Sequence, residues 1–182
     1  MALGITTGPY IFSKCLRPLV KFWRENGVKV VLYLDDGFGM GKDVSSCYED
    51  AKFVKESLIE PGLFINEEKS VFTPVTKLEW LGIVWNSTKF TLSIPERRVY
   101  DLMSSLCVIL KSYSIFTARH LAQVVGRVIS MTPVIGNVAR RIMYKYCYMA
   151  LENRSAWDKP IMSFNQDTAL IELRFWEHNI SN

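Results

Sequence analysis

Two adjacent carboxylates, Asp35 and Asp36, follow the apolar run Val28-Lys29-Val30-Val31-Leu32 within the stretch Tyr33-Leu34-Asp35-Asp36, and Gly37 comes next. Like charges side by side repel, so a fold that keeps them at the tip of a buried strand calls for a neutralising cation, and a divalent metal is the obvious one. Asp-Asp-Gly also serves as a plain turn, because Asp and Gly are favoured there on local grounds. The other residues able to bind a metal form no set of their own. Cys15, Cys47, Cys107 and Cys147 are far apart and make no CxxC pair, so they read as reduced core residues, not as a zinc site or a disulfide framework. His120 and His178 have no partners at metal-binding spacing and read as structural or surface residues.

The elements that must position the aspartates follow from periodicity. From Pro9 to about Glu25, Ile11, Phe12, Cys15, Leu16, Leu19, Val20 and Trp23 recur at helical spacing, with Lys14, Arg17, Lys21 and Arg24 on another face. Pro18 should kink or break that helix, and Asn26-Gly27 should stop it. Val28–Leu34 reads as a strand, Asp35-Asp36-Gly37 as a hairpin turn and Phe38–Met40 as the returning strand. Asp43 caps a helix to about Leu58, ended by Pro61-Gly62. Leu63–Ile65, Ser70–Phe72, Leu78–Trp85 and Phe90–Ile94 read as short strands, the last two joined by Asn86-Ser87-Thr88-Lys89.

After Pro95 the pattern is helical. One helix starts near Pro95, a second is capped by Thr117, a third is bounded by Pro133 and runs to about Leu151, and an amphipathic segment spans Asp167 to Glu177. The outline is a mixed lobe over 1–94, a helical lobe over 95–151 and a final connection over 152–182.

The chain has 182 residues, 49% of them hydrophobic and 13% aromatic, which excludes a disordered protein and allows one substantial core or two small lobes. No apolar run is long enough to span a membrane and no secretory signal opens the chain, so no membrane partner and an intracellular protein are expected. No basic cluster is dense enough to read as a nuclear import signal, which leaves cytoplasm and nucleus undivided. The net charge of +4 is uneven: residues 1–29 carry +4, 30–94 carry −4, 95–147 carry +6 and 148–182 carry −2. Basic blocks flanking an acidic middle suit a polyanion guided toward a carboxylate centre; a solvated charged face gives the same count.

Four stretches, in order, resemble motifs of the reverse transcriptase family. Leu3-Gly4-Ile5-Thr6-Thr7-Gly8-Pro9-Tyr10-Ile11-Phe12 is similar to the glycine-proline motif before a long palm helix, and Tyr33-Leu34-Asp35-Asp36 to the metal-binding hairpin. Phe64-Ile65-Asn66-Glu67-Glu68-Lys69-Ser70 resembles the motif with an asparagine and a lysine, and Leu78-Glu79-Trp80-Leu81-Gly82 the hairpin that grips the primer. The wording is most similar to tyrosine-recombinase retrotransposons of DIRS type. The resemblance implies an α+β fold: a partial right-hand polymerase palm, built of an antiparallel hairpin with flanking helices, then an all-helical thumb-like lobe leading toward a ribonuclease H domain. No cluster of four acidic residues for that last activity is present.

The implied activity is RNA-directed DNA polymerisation with Mg2+ or Mn2+, an RNA template, a DNA primer and deoxynucleotide triphosphates. In that reading Asp35 ligates metal directly, Asp36 supplies the second carboxylate, and Lys69 is the general acid for the leaving pyrophosphate. Gly4, Pro9, Tyr33 and Leu34 lie near the nucleotide, template or primer end; Trp80, Leu81 and Gly82 contact the primer; and Arg119, Arg127, Arg140 and Arg141 hold nucleic-acid backbone. A surface lysine beside Glu67 and Glu68 also accounts for Lys69, and ordinary alternation of core and surface accounts for Trp80 and Leu81.

In the family a strand before the glycine motif carries another metal-binding aspartate, whereas here Met1-Ala2 stands directly before Leu3. The expectation is a fragment that is inactive alone, with an unpaired palm edge open to an upstream polymerase segment or to self-association, and poorly soluble unless that edge is covered. A non-catalytic nucleic-acid-binding module derived from a retroelement is the chief alternative. A glycosyltransferase-like Asp-Asp site is a third reading that leaves the glycine-proline motif and the basic helices unexplained.

Overall fold

The apolar stripe of the first helix decides how the acidic hairpin is mounted. The computed structural model describes residues 6–111, 116–137, 146–161 and 163–180. The chain forms two compact units, Met1–Leu81 and Gly82–Asn182. The border suggested by the basic helices, between 94 and 95, falls inside the second unit. No helix among the described residues is long and apolar enough to cross a membrane.

In the first unit α1 (Gly8–Glu25) runs without a break through Pro18. Pro18 is exposed while Leu16 and Trp23 are buried on either side of it, so side-chain packing on one face outweighs the hydrogen bond that proline cannot donate. Gly27, at φ 87°, closes the helix. Its N–H donates to Arg24 O and that of Val28 donates to Trp23 O, the paired bonds of a Schellman motif. β1 (Lys29–Tyr33) and β2 (Asp36–Met40) then form an antiparallel hairpin. α2 (Val44–Ile59) starts with a capping box between Asp43 and Ser46 and ends at Gly62, φ 85°, with a second pair of Schellman bonds.

Trp23, Val28 and Val30 form the buried centre of this unit, supported by Leu19, Val20, Leu32, Phe53, Val54 and Leu58. The Trp23 indole donates to Ser57 Oγ at 2.6 Å, fixing α1 to α2. The expected strands at Leu63–Ile65 and Ser70–Phe72 are irregular chain instead. Asn66 explains this: its backbone and side-chain oxygens accept from the Lys69 N–H and its carbonyl from that of Ser70, folding the segment into a turn.

The expected strand Leu78–Trp85 is interrupted. β3 (Lys77–Trp80) closes the first unit, and Leu81 and Gly82, at φ 50° and 71°, turn the chain before β4 (Ile83–Asn86). In the second unit β4 pairs antiparallel with β5 (Thr91–Ser93), Trp85 opposite Leu92. Asn86 Oδ1 accepts from the Lys89 N–H in the intervening loop, 3.0 Å away.

α3 (Glu96–Lys111) and α4 (Ala118–Ser130), the latter capped by Thr117 as its sequence implies, lead to the short α5 (Thr132–Ile135). The helix expected from Pro133 to Leu151 is not continuous. Gly136, at φ 70°, ends α5, and a separate α6 (Tyr146–Glu152) follows; residues 138–145 lie outside the description. α7 (Ser163–Asn179) extends past both ends of the expected segment. Leu102, Leu106 and Ile109 of α3 meet Leu121, Val124, Val125 and Val128 of α4, with Cys147, Ala150, Leu173 and Trp176 from α6 and α7 completing the core. Cys147 alone of the four cysteines is fully buried; Cys15 is exposed, contrary to expectation, at the flank of the α1 stripe whose buried members are Leu16 and Trp23.

The architecture is thus helices with small antiparallel sheets, compatible with the α+β class.

Candidate active-site hairpin and nucleic-acid surface

Lys29 pairs with Met40, Val30 with Gly39, Val31 with Phe38, Leu32 with Gly37 and Tyr33 with Asp36. The turn is therefore Leu34-Asp35, one residue earlier than the Asp-Asp-Gly sequence suggests, and Asp36 and Gly37 belong to β2. A two-residue loop matches the twist of the strands it joins. Its geometry falls on Leu34, which adopts φ 56° without being glycine. Such a residue costs about 1–2 kcal/mol relative to ordinary backbone, and strain of this kind concentrates at functional sites.

Strand alternation divides the hairpin into two faces. Val30 and Leu32 point toward the small core with α1 and α2. Val31, Tyr33, Asp36, Phe38 and Met40 share the opposite face, where Val31, Tyr33 and Met40 are exposed. Trp80 covers part of it, its ring 5.2 Å from that of Phe38. Lys77 and Glu79 are exposed while Leu78 and Trp80 are half-buried; Leu81 is exposed. Trp80 therefore has the packing role, and Leu81 the exposure, that alternation of core and surface along the strand implies.

Asp35 and Asp36 are both exposed, one in the turn and one at the start of β2. Among the described residues no group of three or more His, Cys, Asp or Glu side chains could hold a metal ion. The pair does not fit a cage closed by protein ligands. It does fit the way Mg2+ is commonly held, by one or two carboxylates with water and substrate phosphates completing the octahedron.

Lys69 lies in the Asn66 turn with its side chain exposed, and Glu67 pairs with Lys55 at 2.9 Å, not with Lys69. Among the described residues no hydrogen bond or ion pair joins Lys69 to the hairpin. Pro9 sits in the first turn of α1, its carbonyl accepting from Ser13 Oγ at 2.8 Å. Gly4, Arg140 and Arg141 lie outside the described residues. Beside the hairpin, a cleft of about 540 Å3 runs between α1 and β1, with Arg17, Lys21 and Arg24 along Leu16, Val20, Leu32 and Leu34. Arg24 donates to Val30 O at 3.0 Å, occupying an outward carbonyl of β1.

In the second unit Arg119 makes a bidentate pair with Asp158, Nε to Oδ1 at 2.6 Å and Nη2 to Oδ2 at 2.9 Å. Hydrogen bonding to Arg119 holds the Asp158 carboxyl below its usual range. Arg127 donates to Asp101 O at 2.8 Å and to Ser105 Oγ, tying α4 to α3. Arg98, not singled out individually by its sequence, donates to Gly82 O at 2.6 Å and to Ser130 Oγ at 2.5 Å. Only the basic run Arg97-Arg98 hinted at it, and charge alone does not distinguish a half-buried tether from a solvated cation.

The family described as reverse transcriptase (RNA-dependent DNA polymerase) matches residues 1–85, a span that contains the hairpin, Lys69 and Trp80-Leu81-Gly82. The match supports a reverse transcriptase, a family that generally uses divalent metals and binds template and primer. No curated protein matches the chain.

Proposed function

We propose that this chain is a fragment of a retroelement reverse transcriptase, of the DIRS-like kind, whose parent protein performs RNA-directed DNA polymerisation by a two-metal mechanism. The observation that carries the reading is the exposed hairpin tip, with Asp35 in a strained turn and Asp36 beside it, within a span that matches the family. In this reading the first unit is palm and the helices after Pro95 are thumb. Asp35 and Asp36 hold Mg2+ or Mn2+, which supplies charge neutralisation at the transferring phosphate. Tyr33 and Leu34 border the primer end, Lys69 donates a proton toward pyrophosphate from a segment that must approach the hairpin, and Trp80-Leu81-Gly82 contacts the primer. Arg119 binds a backbone phosphate by exchanging it for Asp158, and Arg127 uses the donors not spent on α3. With two carboxylates as the described ligand set, the chain by itself is expected to polymerise poorly.

The +6 charge of residues 95–147 favours one second reading, a nucleic-acid-binding module that does not polymerise. A labelled deoxynucleotide triphosphate complementary to the template separates the two. Retention on a primed RNA template that requires Mg2+ and is lost in Asp35→Asn supports the polymerase. Salt-sensitive template binding with no Mg2+-dependent nucleotide retention supports the module.

A further inference from the structure

Gly82 and Arg98 are in unusually close register. A Cβ built on Gly82 would lie 2.7 Å from Arg98 Nη1 and 3.3 Å from its Cζ, and Gly82 is at φ 71°. The positive φ favours glycine, because an L side chain would be strained there, and an added Cβ would also displace the Arg98 guanidinium from its place. The guanidinium is fixed from both ends: Nη1 donates to Gly82 O at 2.6 Å, Nη2 to Ser130 Oγ at 2.5 Å, and Ser130 Oγ donates in turn to Arg127 O at 2.6 Å. One planar fork therefore joins the start of β4 to the end of α4 from a position in the first turn of α3. Lysine, with a single point of charge on a flexible stem, cannot hold two acceptors in that fixed plane.

We infer that Arg98 is a positioning residue that fixes the Gly82 backbone against α3 and α4 of its own unit, so that Gly82, in the Trp80-Leu81-Gly82 segment, presents one conformation to a primer terminus. This rests on the polymerase reading of that segment. Arg98 itself need not touch the nucleic acid: both guanidinium ends are engaged, and its effect passes through the Gly82 carbonyl.

The test compares the chain's affinity for an RNA template carrying a DNA primer with a recessed 3′ end against its affinity for a blunt hybrid of equal length, at one salt concentration, with thermal melts alongside. The wild-type chain prefers the recessed end by about tenfold, which is about 1.4 kcal/mol. Arg98→Met abolishes the preference and leaves blunt-hybrid affinity within about threefold, since backbone cations elsewhere supply that term. Arg98→Lys recovers part of the preference, and Ser130→Ala, which leaves the Gly82 bond in place, weakens it with an unchanged melting temperature. Full preference in Arg98→Met overturns the inference and leaves the polymerase reading standing. Parallel loss of both affinities in Arg98→Met, with Ser130→Ala behaving as wild type, also overturns it, because that is a folding defect. A wild-type chain that does not distinguish the two hybrids overturns the primer-contact reading and the inference with it.

Discussion

Tyr33 and Asp36 face each other across the β1–β2 ladder, which leaves Leu34 and Asp35 as the entire turn. That pairing places one aspartate at the tip and the other on the outer face beside Tyr33, Val31 and Phe38. It also forces Leu34 to φ 56°.

Branching at Cβ makes a positive φ worse, whereas length without branching does not. Leu34→Val is therefore expected to lower stability by about 1–2 kcal/mol, and Leu34→Met to stay within about 1 kcal/mol of the wild type. Urea unfolding followed by circular dichroism measures both. Equal stability of the Val and Met variants would show that the turn bears no such strain.

Gly41 joins β2 to the start of α2. An added Cβ would lie 2.6 Å from both the Cα and the N of Cys47, backbone atoms of a helix that has no room to retreat without losing the Asp43 cap. Gly41→Ala should cost about 1–3 kcal/mol and reduce far-ultraviolet helix signal from the first unit. A melting curve unchanged by this substitution would contradict the close approach.

Cys147 is buried in the second unit, and burial together with the nearby Glu172 raises its thiol well above the ordinary value of 9.0. Glu172 Oε2 accepts the Cys147 N–H at 2.9 Å, from a side chain that is itself buried. The folded state favours the neutral thiol, so its contribution to stability is fully present below about pH 9 and is lost progressively as pH rises further. Cys147→Val should flatten the alkaline limb of a stability-against-pH curve. In the folded wild-type chain Cys147 should also resist a thiol reagent that labels the exposed Cys15 rapidly; equal labelling rates would argue against the burial.

Much of this was legible in the residues. Helix ends written in local chemistry, such as Asn26-Gly27, Asp43 and Thr117, lie where their sequence placed them, because caps depend on near neighbours. The turn was not legible, since Asp-Asp-Gly outranks Leu-Asp on local preference and only the ladder register decides otherwise. Phe64-Ile65 is apolar and reads as strand, yet Asn66 turns the chain and no partner strand is described beside it. For the candidate site, the carboxylates were visible as a motif. The Phe38–Trp80 stack and the Arg98 tether depend on residues 42 and 16 positions apart, respectively, beyond the reach of any periodic pattern.

Exposed Val31, Tyr33 and Met40 on one hairpin face form an apolar surface over a unit with a small buried centre. Such a face favours association. The wild-type chain should self-associate at high concentration, and Val31→Thr with Met40→Lys should shift sedimentation toward monomer. A wild-type chain that stays monomeric at every concentration would remove the reason to expect a covering partner.

The central claim, that the hairpin is a metal-binding polymerase tip, is tested most directly by counting bound Mn2+. Electron paramagnetic resonance reports free Mn2+ as the ion is titrated into the chain with a primed RNA template and a complementary deoxynucleotide triphosphate. The account predicts Mn2+ binding that is at least about tenfold weaker in Asp35→Asn, with a smaller loss in Asp36→Asn. Identical Mn2+ binding by wild type and Asp35→Asn would contradict it.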